Sequence, residues 1–192
     1  MRDYDVTKYF RPSVTVDAVL FCRKKSCASV LLIRRGGHPF IGDFAFPGGF
    51  VEKDEPCEVA VARELCEETG IKDVPLAQLV TASTPDRDPR WRNITVVFAA
   101  EVGSEIPALG GDDAAEARWF GVDYSTEKSK AGEIARLNLK SDGIEFGVKL
   151  NIVRDDFGHI DLNKTEIEER GLLAFDHAKV LCFLFERYGV TK

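Results

Sequence analysis

Residues 49–71 carry Gly49-x5-Glu55-x7-Arg63-Glu64-Leu65-x-Glu67-Glu68-x-Gly70-Ile71, a set of charged, glycine and apolar residues at fixed offsets. Just ahead, Phe46-Pro47-Gly48-Gly49-Phe50 ends an apolar run in a Pro-Gly-Gly turn. Glycines there allow positive φ and a close approach of backbone to ligand. Pro56 suits a first helical turn, and Gly70 is placed to end a helix running through about Thr69. On that helix Glu64, Glu67 and Glu68 stand at i, i+3 and i+4, so they share one face about one turn deep. Val59, Ala60, Leu65 and in part Ala62 fall on the opposite face and can pack on a sheet.

Three carboxylates gathered this way repel one another unless a cation sits among them. Oxygen-only donors favour a hard ion, Mg²⁺ or Mn²⁺, which keeps waters and takes phosphate oxygens as further ligands. An isolated Glu-x-x-Glu-Glu is usually a solvated helix face. The fixed spacing to Gly49, Glu55 and Arg63 is what separates this stretch from that reading. Arg63 cannot bind a metal and reads as steadying the glutamates through charge-assisted hydrogen bonds.

The whole pattern resembles the Nudix box, with every defining position filled. The resemblance implies that Glu64, Glu67 and Glu68 bind the metal, joined by a backbone carbonyl of Gly48 or Gly49, while Glu55 organises loop and helix. It implies metal-dependent hydrolysis of a nucleoside diphosphate linked to another moiety. It further implies an α+β fold, an α/β/α sandwich with a mixed β-sheet. Similarity to the family covers roughly residues 13–122 and resumes near Leu172.

The periodicity along the chain fits that fold class. Strands are expected over 14–22, 29–33, 76–82, 94–102 and 116–120, with a turn at Arg34-Arg35-Gly36-Gly37 and a helix over 127–136. Residues 144–154 and 159–162 flank Asp155-Asp156-Phe157-Gly158 and read as an extra C-terminal hairpin. Its role would be dimerisation, substrate covering or stabilisation. Apolar residues at Leu173, Val180, Leu181, Leu184 and Tyr188 predict an amphipathic closing helix over 172–188. With 192 residues and ordinary composition, the expectation is one domain over 1–192, its core at about 13–122, completed by the hairpin and helix at 140–190.

No apolar run approaches the roughly 20 residues of a membrane helix, and the N-terminus lacks the apolar stretch of a signal peptide. Five cysteines at irregular spacing argue against a disulfide framework and point to a reducing cytoplasm. A net charge of −6 argues against a general nucleic-acid binder. The expected partner is a small nucleoside diphosphate derivative, with no nucleic acid and no membrane, and a homodimer left open.

Substrate choice rests on the loop Thr84-Pro85-Asp86-Arg87-Asp88-Pro89-Arg90-Trp91-Arg92. Arginine forks bind phosphate bidentately, and an indole can stack on a base; the plain alternative is a solvated turn with internal Arg–Asp pairs. Together with Phe44-Ala45-Phe46-Pro47-Gly48-Gly49-Phe50-Val51, the segment Asp86-Arg87-Asp88-Pro89-Arg90 resembles the ADP-ribose pyrophosphatase branch of the family. Those relatives usually carry Gly where this chain has Trp91. The branch implies cleavage of ADP-ribose to AMP and ribose 5-phosphate, with Arg35, Arg87, Arg90 and Trp91 as substrate contacts. Of the neighbours Arg34 and Arg35, strand alternation lets only one face the phosphates. For the general base the family uses a box glutamate or a loop carboxylate. Glu116 is the outside candidate, with Asp112 and Asp113 as alternates and a plain surface charge as the bland reading. His38, His159 and His177 do not cluster, and His177 reads as a packed or capping residue.

Two rival readings remain. Related Nudix regulators sense ADP-ribose and bind DNA, but here the box is intact and residues 126–192 hold 11 Lys and Arg against 12 Asp and Glu. Other Nudix hydrolases act on nucleoside triphosphates or dinucleoside polyphosphates.

Overall fold

The computed structural model describes residues 5, 7–24, 27–110, 114–130 and 132–190. In chain order the strands are β1 (Ser13–Lys24), β2 (Cys27–Arg35), β3 (Phe44–Ala45) and β4 (Gly48–Phe50), followed by helix α1 (Cys57–Thr69). Then come β5 (Ala77–Ala82), β6 (Asn93–Glu101), β7 (Ala114–Ser129), β8 (Gly132–Ser141), β9 (Ile144–Ile152), β10 (Glu166–Glu169) and helix α2 (His177–Arg187). They form one mixed sheet in the order β10-β9-β8-β7-β2-β1-β6-β5, with β3 on β2 and β4 on β1. The pair β1–β6 is parallel; β1–β2 and β1–β4 are antiparallel.

The alternation of β1 sorts the two faces of the sheet. Val16, Ala18 and Leu20 join Leu31, Ala60, Val61, Leu65 and Phe98 in the layer under α1. Val19 and Phe21 join Val30, Leu32, Phe46, Leu181 and Phe185 in the layer under α2. Each fully buried Leu or Phe of this kind contributes roughly 1.5–3 kcal/mol. The same period of two directs Thr15 and Asp17, at the start of β1, to the α2 side. α1 starts after Pro56 and ends at Gly70, which takes the left-handed conformation (φ 73°) and returns its N–H to Cys66 O.

Several expectations for the C-terminal half are corrected. Residues 127–136 are not helical: β7 runs to Ser129 and β8 starts at Gly132. Ala135, Leu137 and Leu139 are buried alternately, and this period of two prevails over the helix-forming Glu, Lys and Ala of the segment. The strand expected at 116–120 extends over all of β7. The main hairpin pairs β9 with β8, not with 159–162, and turns at Asp142-Gly143, with Gly143 at φ 72°. Around Asp155-Asp156-Phe157-Gly158 only the single bridge Arg154–Ile160 forms. The closing helix is α2 alone, because Leu173 bridges Phe44 of β3, Ala174 N donates to Phe44 O at 2.8 Å, and residues 175–176 then turn into the helix.

No described helix is long and apolar enough to cross a membrane. Cys22, Cys57, Cys66 and Cys182 are free thiols.

Candidate active site

β4 lies against the start of β1, with Asp17 opposite Gly48 and Val16 opposite Gly49. Neither glycine has positive φ. Their need is close approach: a Cβ on Gly48 would collide with the Val16 carbonyl oxygen, and one on Gly49 with the Glu64 carboxylate. Gly48 N–H donates to Glu68 Oε2 at 2.8 Å, which ties the turn to the helix. The Gly-Gly pair therefore seats the box helix carboxylates directly on the backbone.

A cavity of about 740 Å³ opens at this junction. Its lining is in part acidic: Asp17, Glu64 and Glu68 contribute to it. Glu68 is buried, and burial pushes its carboxyl up to about 8; the Gly48 N–H pulls the other way, while the Glu64 and Asp17 charges raise it further. Burial also raises Glu64 above the ordinary carboxylate value, although Arg63 opposes that. Arg63, which also lines the cavity, is the hub of these carboxylates. Its guanidinium meets Glu55 at 2.6 Å, Glu64 at 2.8 Å and Glu67 at 3.0 Å, and donates to Phe50 O at 3.1 Å. Glu67 does not line the cavity and its side chain is 44% exposed.

The same cavity is also cationic and aromatic: Arg35, Arg87, Arg90 and Phe175 line it. Arg87 is spent on the protein, held at 2.6 Å by Asp176 and bonded to Thr95 Oγ1. Burial alone would lower its pKa, but Asp176 reverses that and the net shift is upward. Arg90 is pinned at 2.8 Å by Asp88, which also accepts from Asn93 Nδ2 at 2.6 Å. Arg35 bonds Pro39 O through Nε at 2.8 Å, and no carboxylate pairs with it among the described residues. Burial, and next the Arg90 charge, lower its pKa. It is the cavity guanidinium with the most to gain from an anion.

Other expected contacts lie elsewhere. Trp91 does not line the cavity; it is 58% exposed, with its ring 5.9 Å from that of Phe10. Glu116 sits on β7 opposite Arg34, paired with Arg34 at 4.0 Å and with Arg118, outside the cavity lining. Arg34 donates to Gly42 O at 3.1 Å. Asp112 and Asp113 lie outside the described residues.

The cavity also holds groups that sequence reasoning did not select. Asp17 was visible as a lone charge within an apolar strand, a pattern that marks a buried polar position. His177, read as packed or capping, is buried and does both more and less: its ring stacks on Phe46 at 4.4 Å and its Nδ1 accepts the Phe46 N–H at 3.0 Å. That leaves the proton of the neutral ring on Nε2, which faces Asp17 Oδ2 at 3.5 Å. Phe175 carried no sequence signal, since the expected helix over 172–188 absorbed it.

The residues fit a divalent cation. Among the described side chains no three His, Cys, Asp or Glu groups stand as a ready-made cage. The donor set is nonetheless carboxylate and carbonyl oxygen around Gly48, with Glu68 raised by burial and, after it, by its acidic neighbours, the condition a hard cation relieves.

The NUDIX domain model matches residues 11–137. The chain belongs to the Nudix family. It is 47% identical over 113 residues to an ADP-ribose pyrophosphatase of Methanocaldococcus jannaschii, covering 58% of this chain and 63% of that one. It is 34% identical to the ADPR responsive transcriptional repressor NtrR of Acinetobacter baylyi, over 73% of this chain and 60% of the repressor. Among solved structures, a MutT/nudix family protein from Enterococcus faecalis superposes with a TM-score of 0.75 at 35% identity, covering 97% of this chain and 65% of the other. The chain thus spans somewhat less than two thirds of the length of these relatives.

Proposed function

We propose that this Nudix chain is a Mg²⁺- or Mn²⁺-dependent pyrophosphohydrolase that splits ADP-ribose into AMP and ribose 5-phosphate. The observation that carries the reading is one cavity lined both by box-helix carboxylates, Glu64 and Glu68, and by the guanidinium groups of Arg35, Arg87 and Arg90. A metal-bound diphosphate calls for both kinds of group. Glu64 and Glu68, with the Gly48 carbonyl and Glu67 once released from Arg63, would hold the metal. When bound, the ion neutralises phosphate charge and lowers the pKa of a coordinated water. Arg35 takes a phosphate oxygen of the same diphosphate. Arg63 orients Glu64 and Glu67 through its hydrogen bonds. With Glu116 outside the cavity, Glu64 and Glu68 are the nearer carboxylates to accept the proton of the attacking water. The water oxygen bonds to phosphorus as the bridging P–O bond breaks, and the bridging oxygen leaves on the other phosphate.

The ADP-ribose assignment is supported by the 47% identity to the pyrophosphatase. Residues 1–192 are proposed to act as one Nudix unit in the cytoplasm, without a nucleic-acid partner. The repressor relative favours a second reading, an ADP-ribose sensor that binds DNA.

A screen of ADP-ribose, NADH, diadenosine polyphosphates and nucleoside triphosphates, with Mg²⁺ and with EDTA, tests the proposal. The expected result is Mg²⁺-dependent release of AMP and ribose 5-phosphate from ADP-ribose in preference to the rest. Faster turnover of a nucleoside triphosphate would sink the substrate. Binding of ADP-ribose without turnover, together with a shifted DNA band, would replace the enzyme with the sensor.

A further inference from the structure

The cavity needs a surface for the planar base of a nucleotide, and Trp91 lies outside it. The geometry points to Phe175. Its ring lines the cavity with two guanidinium groups near it, Arg35 Cζ 4.9 Å and Arg90 Cζ 5.7 Å from its centroid. Arg90 also lies 5.8 Å from the centroid of Phe50, which is half-exposed and lines the same cavity. These are distances that cation–π contacts use, and they mark a ring that takes flat groups against it.

Phe175 is held there against its own preference. Its φ is 51°, in the left-handed region that bulky residues rarely adopt. The surroundings fix that conformation from both sides. Ala174 N–H bonds to Phe44 O at 2.8 Å just before it, and Asp176 is locked to Arg87 at 2.6 Å just after. Phe40 meets its ring edge-on at 5.0 Å. The buried Arg87–Asp176 pair thereby sets the position of a ring rather than binding substrate. Phe175 also lies beyond residues 11–137, the part that the family model matches.

We infer that Phe175 is a specificity-determining residue of this cavity, the platform on which a nucleobase stacks, with Arg35 beside it taking the adjoining phosphate. This rests on the reading of the cavity as a nucleoside diphosphate site. Its source is a C-terminal segment outside the box, so base preference is set apart from the hydrolytic machinery.

Calorimetric titration of the full chain with AMP and with ribose 5-phosphate tests the inference, because the two ligands share a phosphoribose and differ in the base. Phe175→Leu and Phe175→Met are compared with Phe175→Tyr and Trp91→Ala, each with its Tm measured; the unbranched, adaptable Phe175→Met side chain serves if the leucine variant folds poorly. AMP should bind roughly tenfold more weakly to the leucine and methionine variants, the scale of one base–aromatic stack, and near normally to the tyrosine variant. Ribose 5-phosphate should bind all four variants within about twofold of the unsubstituted chain. The inference is overturned if Phe175→Leu weakens both ligands equally or neither. It is also overturned if Trp91→Ala is the variant that weakens AMP, or if the unsubstituted chain binds AMP no better than ribose 5-phosphate. Failure of the hydrolase reading shows separately, as no AMP released from ADP-ribose by the unsubstituted chain.

Discussion

Arg63 and Arg154 are built alike and work differently. Each is a guanidinium wedged between carboxylates. Arg63 holds Glu55, Glu64 and Glu67 at the cavity, while Arg154 joins Glu133 at 2.6 Å to Glu186 at 2.7 Å between β8 and α2. In the second hub the arginine prevails, and its hydrogen bonds hold Glu133 below the ordinary carboxylate value. In the first hub Arg63 likewise lowers Glu55, but burial prevails at Glu64, which sits above the ordinary value despite its bond to Arg63. Glu68, one turn along, has no arginine bond at all and is pushed up to about 8. A structural staple balances its charges. The proposed metal site leaves buried carboxyl groups without a matching cation until the ion arrives.

The sharpest break of that contrast is Glu68→Gln. The amide keeps the shape and can still accept the Gly48 N–H. Metal-dependent turnover of ADP-ribose should fall on the order of 10³-fold or more, because a cavity-facing metal donor is lost. The Tm should not fall, since the change removes a buried charge that lacks a counter-ion. A Tm loss matching that of a core deletion, or turnover within a few-fold of the unsubstituted chain, would remove Glu68 from the metal site.

Arg63→Met comes next. It leaves Glu55, Glu64 and Glu67 facing one another without their counter-ion. Turnover and Mn²⁺ affinity should each drop roughly 10–100-fold, the usual effect of losing a group that orients metal ligands. Mn²⁺ titration followed by electron paramagnetic resonance reads the affinity directly. Unchanged affinity would make Arg63 a staple like Arg154.

The same contrast explains what could be read in advance. The box is a local pattern: α1, its start after Pro56 and its end at Gly70 follow from residues a few positions apart. Fixed offsets on a helix translate directly into shared faces. The long sheet extension does not work this way. The pairing of β8 with β9 depended on giving Asp142-Gly143 more weight than the Asp-rich turn at 155–158, and both are turn signals. Glu133, Arg154 and Glu186 meet only after three separate segments pack, so no spacing announces them. The cavity divides likewise. Its acidic lining was legible except for Asp17, whereas Phe175 and the Arg87–Asp176 lock depend on contacts 89 residues apart in sequence.

Arg154→Met tests the staple. ADP-ribose turnover should stay within about twofold, since Arg154 does not line the cavity. Stability should fall by roughly 1–2 kcal/mol, between the values for exposed and buried pairs, or a few degrees in Tm. The pH dependence follows in sign. Glu133 has its folded pKa lowered from 4.5, so its contribution is complete above that value and is lost as pH falls through the folded pKa. The Tm gap between the two proteins should therefore be full near neutrality and narrow as the solution is acidified below about pH 4.5. A gap that widens in acid would mean that Glu133 is not the partner that matters.

The smallest effect expected is that of Trp91→Ala, and it marks where the site ends. Trp91 shares a loop with Arg87 and Arg90, yet both arginines turn inward onto Asp176 and Asp88 while the indole faces outward against Phe10. The loop is anchored by those ion pairs, so losing the indole should leave them in place. KM and kcat for ADP-ribose should both stay within about twofold, and Tm within about a degree, as for an exposed side chain without a buried partner. A KM raised fivefold or more at constant kcat would show substrate reaching past Arg90 onto the outer face of the loop. The cationic lining would then extend beyond the cavity, and the loop, not the Phe175 segment, would carry the base.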